Sequence, residues 1–333
     1  MKNKIFFFIF LFSALIPPVQ SEINGYASLD FSIGQEQSEV SKGSFQNSQA
    51  GLLFFGDISP SVSYLAEFRF EPEGTVDMEQ AWISFGASRA FALNLGLYLV
   101  PFGRYNQSSR PHETLLINPP LNVERMYPFF WRDVGVLLEG RTRNFFYSAF
   151  LGNGLSENAD LSGGQQFRDN NKDKGKGGRL GLVISQGFEI AYSYYSSKYD
   201  EGNSRDLILQ GVDLLWYSEG VLVHAEYSKA RMEIPDDTGE AEGFFIQMAL
   251  DMGQFRPVAC YQHLDYEDGF HGPGFVSPDV PGSGISEKKR RWALGFAYQA
   301  SQNFLLKFEY DLNSEKDVEL KDNALSVQVA FSF

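Results

Sequence analysis

Sixteen stretches in which apolar side chains alternate with small or polar ones leave this chain few ways to fold. A period of two marks a strand with two unlike faces, and about ten residues is the length of a tilted strand crossing a bilayer. The last stretch sets Leu325, Val327, Val329, Phe331 and Phe333 against Ser326, Gln328, Ala330 and Ser332. An apolar terminal edge would seed aggregation in a water-soluble sheet. Paired with the first stretch, 23–33, it closes a barrel whose apolar face meets lipid. The remaining stretches are 49–58, 61–71, 78–86, 91–100, 133–140, 145–152, 179–185, 188–197, 206–216, 221–230, 244–251, 255–263, 291–298 and 303–311. Their connections alternate in length. One set is short (59–60, 87–90, 141–144, 186–187, 217–220, 252–254 and 299–302), and the other is mostly longer (34–48, 72–77, 101–132, 153–178, 198–205, 231–243, 264–290 and 312–323). A β-sandwich has no reason to sort its loops by parity. The pattern predicts an all-β, transmembrane, antiparallel up-and-down barrel of about 16 strands, with both termini at the short-turn side.

The N-terminus adds an export signal. Lys2 and Lys4 precede an apolar run from Ile5 to Ile16, too short to span a bilayer, and Pro17-Pro18 follows. This predicts a signal peptide over residues 1–21, cut between Ser21 and Glu22, and a single barrel domain over 22–333. Losing Lys2 and Lys4 moves the formal charge from −14 to −16, a poor balance for binding nucleic acid. A mean hydropathy of −0.24 fits alternation, since inward residues offset outward ones. Aromatics at 15 % and 32 glycines suit interfacial girdles and tight turns. Cys260 is the only cysteine, so no internal disulfide or thiolate cluster is available.

The longest connection, 101–132, is third among the long ones. Its prolines and its apolar residues Leu115, Leu116, Ile117, Phe129 and Phe130 fit a loop folded into the barrel. It carries His112 and, as the candidate residues of a constriction, Arg104, Arg110, Glu113, Glu124, Arg125 and Arg132. Guanidinium groups bind phosphate and carboxylate in a bidentate manner, so Arg104, Arg110 and Arg125 would face anions. The rival reading has these arginines pair with Glu113, Glu124 or wall acids and hold the loop down. On the inward faces the bases are Arg69, Arg179, Arg256, Arg291 and Lys307. The acids there are Asp30, Glu67, Glu71, Asp133, Glu189, Asp213, Glu226, Asp251, Glu309 and Asp311. An acidic wall facing a basic loop predicts a transverse field in a weakly selective pore.

Three motifs carry a family resemblance: Glu79-Gln80-Ala81-Trp82, then 95–103 (LGLYLVPFG), then Trp131-Arg132-Asp133-Val134-Gly135-Val136. Together with Asp169-Asn170-Asn171-Lys172 ahead of Arg179-Leu180, this pattern resembles the phosphate-selective porin O and P family. The resemblance implies a trimeric, sixteen-stranded outer-membrane channel with inward-folded loops. Phosphate-specific members line the channel with an arginine ladder, and no motif in this chain aligns with such a ladder position by position.

Other constellations are weaker. Asp169, Asn171 and Asp173 have the spacing of a calcium loop, but the glycine falls one place late and Leu180 stands where a bidentate Glu belongs. Lys172, Lys174, Lys176 and Arg179 offer charge to lipopolysaccharide phosphates or anionic solutes, with a hydrated charge run as the plainer reading. His112, His224, His263 and His271 are scattered, and no nucleophile elbow or phosphate-binding glycine loop occurs. The sequence therefore predicts a passive channel for small hydrophilic solutes in the outer membrane of a Gram-negative bacterium. Its expected partners are lipid and lipopolysaccharide, with no cofactor and no catalysis, and the family resemblance implies two further copies of itself. A plugged adhesive barrel and an outer-membrane enzyme are the alternatives.

Overall fold

The computed structural model describes residues 20–72, 74–158, 161–234, 237–267, 288–316 and 320–333. Among them sixteen strands form one closed antiparallel barrel in simple meander order. The strands are β1 Gln20–Gly34, β2 Ser44–Ser59, β3 Val62–Phe70, β4 Val76–Ser88, β5 Phe91–Leu99 and β6 Arg132–Arg141. Next come β7 Phe145–Gly152, β8 Gly175–Ser185, β9 Phe188–Lys198, β10 Asp206–Ser218 and β11 Val221–Ile234. The last are β12 Asp237–Leu250, β13 Phe255–Tyr266, β14 Lys288–Ser301, β15 Phe304–Glu315 and β16 Ala324–Ser332. Each coincides with one predicted stretch. The main differences are in length: β11 and β12 run on through the expected loop 231–243 as a tall hairpin. Residues 1–19, most of the expected signal peptide, lie outside the described residues, as do His271 and most of 264–290. The expected cut between Ser21 and Glu22 falls within β1.

Closure follows from the backbone. In lipid, every N–H and C=O must find a partner within the protein, so a sheet without edges is required. β1 and β16 pair from Tyr26↔Ser332 to Gly34↔Ala324. Reciprocal bonds of 2.9 Å between Gly25 and Phe333 carry the seam to the last residue. Alternation then separates the faces. Ile23, Leu29, Leu180 and Leu182 are more than half exposed on the outside, whereas Tyr26 and Asp30, on the inner face of β1, are 1 % and 2 % exposed. Among the described residues no helix is long and apolar enough to cross a membrane. Tight turns close one end; at Glu219-Gly220 both residues have positive φ, 50° and 80°, as a two-residue hairpin requires.

Two local devices shape the interior. An extra residue in β4 lets Glu67 pair with Gln80 and Phe68 with Met78. This bulge turns both Glu79 and Gln80 inward, which gives the Glu-Gln motif a physical role. Across β5–β8 runs a row of glycines, Gly96↔Gly135↔Gly152↔Gly175. A Cβ on Gly135 would lie 2.8 Å from the Gly152 Cα and would collide with the Leu151 carbonyl. Gly135→Val should therefore destabilise the folded barrel by about 1–3 kcal/mol, read as a lower urea midpoint in detergent micelles. An unchanged midpoint would show that these strands have room to spare.

Candidate functional site

Residues 101–131 pack against the inner faces of the wall strands. Two forces hold this inner loop there. The first is apolar: Phe102, Tyr105, Leu116, Leu121, Val123, Met126, Tyr127 and Trp131 form one buried cluster with wall residues Leu207, Leu209, Ala230, Phe245, Val258, Cys260 and Ala293. The inner faces of β10–β14 are thus a docking surface. Gly211 and Gly243 make seats in it, since a Cβ on either would stand 3.2 Å from the Phe102 ring or 2.9 Å from the Asn122 Cβ.

The second force is electrostatic, and the wall acids supply it. Glu226 on β11 accepts the N–H groups of Arg104 (2.7 Å) and Tyr105 (2.6 Å), and Ser193 on β9 accepts that of Gly103 (3.1 Å). His224 lies 2.9 Å from the same Glu226 carboxylate and braces the clamp. Glu309 on β15 accepts the N–H of Ile117 and, at 3.0 Å, that of Asn118. Gln262 on β13 accepts the Leu121 N–H at 3.0 Å. Lys307 donates to the Thr114 hydroxyl at 2.8 Å and the Leu116 carbonyl at 3.3 Å.

The candidate constriction residues fall into separate groups rather than one ring. Arg110 grips Glu67 on β3 with two bonds of 2.7 and 2.6 Å, and also reaches Glu113 at 3.3 Å. Arg104 pairs with Glu189, which also holds Arg141, and approaches Asp213, the 2.5 Å partner of Arg179. Arg132 pairs with Glu79, which also receives Arg69 at 2.7 Å. Arg69 in turn lies over the ring of Phe130, whose φ of 52° is unusual for a residue with a Cβ. Glu124 lies 3.1 Å from Arg125 and 3.6 Å from Arg291, while Arg256 stands apart beside Asp251 at 3.6 Å. The loop is therefore tied to β3 on one side and to β9–β15 on the other. Inward residues at those contacts have almost no solvent contact: Lys307 0 %, Glu309 1 %, Glu67 2 % and Asp213 2 %.

Outside the barrel interior, the Asp169–Asp173 segment is a latch between two long connections. Asp173 accepts the Lys198 N–H at 2.8 Å, and Asn171 donates to the carbonyls of Lys198 and Asp200. Lys174 and Lys176 pair with Asp169 and Asp173, and the described residues contain no group of three or more metal-ligating side chains. Burial pushes the Asp200 carboxyl up, but the N–H and hydroxyl donors of Arg205 and Ser204 outweigh it and bring it down to about 2.

The sequence reading counts Glu226, Glu309 and Asp213 among the inward wall acids, and the acceptance of loop backbone N–H groups by Glu226 and Glu309 is not visible in their spacing. Gln262 and Ser193 were missed, and Glu79 was named only as part of a motif and not as an inward acid. A signal did exist: β10–β14 carry apolar or glycine residues at inward positions, where a water-filled channel wants polar ones.

The closed sixteen-strand meander barrel is a fold the chain shares with solved outer-membrane porins. The chain superposes on OmpF of Salmonella typhi with a TM-score of 0.69, at 14 % identity, covering 95 % of this chain and 98 % of that one. For the anion-selective porin from Comamonas acidovorans the values are 0.67, 11 %, 95 % and 100 %. For the outer-membrane channel DcaP of Acinetobacter baumannii they are 0.66, 12 %, 95 % and 97 %. In sequence, it is 21 % identical over 315 residues to an uncharacterized protein of Aquifex aeolicus strain VF5, covering 82 % of this chain and 71 % of that one. No family model matches the chain, and the likeness to these solved structures is one of fold.

Two predictions follow from the clamps. Arg110→Ala strands the Glu67 carboxylate in a buried site and should cost about 3–5 kcal/mol of folding stability, whereas Arg110→Met with Glu67→Leu should restore most of it. A single variant as stable as the parent, by urea unfolding in micelles, would mean that water replaces the guanidinium. The second concerns His112. Burial holds its imidazole below the ordinary histidine range, with Arg110 and Lys307 adding to that and Glu113 opposing it. A lowered folded-state pKa means that its contribution is present above the unfolded value and lost as pH falls through the folded one. Acidification from about pH 7 to about pH 5 should lower the unfolding midpoint, and less so in His112→Gln. A steeper fall in the variant would contradict this.

Proposed function

We propose that this chain is an outer-membrane channel of a Gram-negative bacterium, assembled as a homotrimer, through which small hydrophilic solutes and ions diffuse passively. The observation that carries the reading is the inner loop clamped across a closed barrel by paired charges. Such a loop narrows the lumen and sets a size limit with no chemistry. The supporting residues are Arg104, Arg110, Glu113, Glu124 and Arg125 on the loop, Arg132 at the start of β6, and the wall charges that face them.

Selectivity on this reading is weak. Most of the interior charge is neutralised within pairs, so the wall-wide excess of acid is not what a permeating ion meets. The more open charges are of both signs: the Arg141 and Arg125 side chains are 53 % and 43 % exposed, those of Asp77 and Glu71 40 % and 33 %. Phosphate specificity would need unpaired cations at the narrowest point, and the loop arginines have carboxylate partners. The near-complete burial of the inward contact residues favours one alternative, a barrel plugged by its own loop.

Reconstitution in a planar bilayer separates the two. The channel reading expects stable ohmic steps, with a reversal potential in a salt gradient close to zero. Folded protein that gives no steps would leave the plugged barrel. Replacing Arg104, Arg110 and Arg125 together by Ala should move that potential towards cation preference. An unmoved potential would show that these residues do not set selectivity.

A further inference from the structure

One end of the barrel carries cations that no acid answers. The short turns form one rim, and two neighbouring turns supply its bases: Arg89 between β4 and β5, and Arg143 between β6 and β7. The other short turns are acidic, at Glu219 and Asp251, or neutral. Arg141 and Arg256, near the same rim, are paired with Glu189 and Asp251. Arg89 and Arg143 are exposed, and neither side chain has a hydrogen bond or ion pair among the described residues.

The backbone brings these two turns together. The Arg89 carbonyl accepts the Arg141 N–H at 2.8 Å, and the Ala90 carbonyl accepts the Tyr147 hydroxyl at 2.9 Å. The Asn144 carbonyl accepts the Val183 N–H at 2.8 Å, and Thr142 Oγ1 accepts the Phe145 N–H at 3.2 Å. Both arginines thus rise from tied turns rather than from a loose loop. Beside them on the outer face, Phe85, Phe91, Phe145 and Ile184 are all exposed. Aromatic side chains at the edge of an apolar barrel face mark the level of lipid headgroups, and cations there meet lipid phosphates.

Charge complementarity narrows the partner. A chain of formal charge −14 repels an anionic lipid over most of its surface, so an arc of free cations selects where such a lipid sits. A guanidinium binds a phosphate through two parallel N–H donors, whereas a zwitterionic headgroup brings a like charge into the arc. We propose that the Arg89–Arg143 arc is a binding site for an anionic glycerophospholipid of the leaflet that meets the short turns. The guanidiniums hold its phosphate, and its acyl chains lie along Phe91 and Phe145. The site rests on the barrel lying in a membrane, as in the function proposed above, and stands whether or not the barrel conducts.

Native mass spectrometry tests this, with the folded barrel released from micelles containing phosphatidylglycerol or phosphatidylcholine of the same acyl chains. Wild type should retain phosphatidylglycerol about tenfold more than phosphatidylcholine, and Arg89→Gln with Arg143→Gln should bring that ratio to about one. Lys42→Gln with Lys172→Gln removes two exposed cations from the long connections and should leave the ratio unchanged. Equal loss in both double variants reduces the effect to net charge and overturns the site, as does a wild type without preference. A ratio that survives in the arginine variant also overturns it, and a shifted reversal potential in that variant would give these arginines to permeating anions instead. Insertion into vesicles of each lipid is read separately. A barrel that inserts into neither sinks the membrane reading along with the site, whereas insertion without lipid preference sinks the site alone.

Discussion

Carboxylates on the barrel wall that accept backbone N–H groups of the inner loop are the interaction on which the interior depends. A strand of a membrane barrel can satisfy its polar backbone through its neighbours, but a loop crossing the lumen cannot. Glu226 meets that need at Arg104 and Tyr105, Glu309 at Ile117 and Asn118, and Gln262 at Leu121. Bonds of this charge-assisted kind are among the stronger ones available, and each is made where water is excluded. The loop therefore has a fixed path, and the side chains it carries have fixed partners.

That path explains the distribution of charge. The chain is strongly acidic, yet its interior holds acids mostly opposite arginines, lysines or N–H donors. Glu67 is matched by Arg110, Glu79 by Arg132 and Arg69, Asp213 by Arg179. Buried pairs add little net stability over apolar packing, but breaking one is costly, so they fix position more than they strengthen the fold. The apolar inner face of β10–β14 supplies the packing energy, and the charge pairs select which residue of the loop sits where.

The barrel itself was legible in the sequence. Alternation is a direct record of two faces in two solvents, and sixteen predicted stretches became sixteen strands because each strand needs only its neighbours. Loop parity reported the two ends. The interior was less legible, for a physical reason: Glu309 on β15 and Asn118 in the loop are far apart along the chain, and no local period links them. The arginines of 101–132 could be named as candidates, but whether Arg110 faces solvent or Glu67 depends on how the loop crosses the lumen. The Glu79 bulge was equally hidden, since one extra residue in β4 reverses which side chain turns inward.

Hydrogen exchange of the wild-type barrel at Tyr105, Ile117 and Leu121 tests the central claim most directly, since each of these amides is bonded to a wall side chain. The structure predicts protection comparable to that of the barrel strands. Exchange as fast as that of the outer connections would contradict a clamped inner loop.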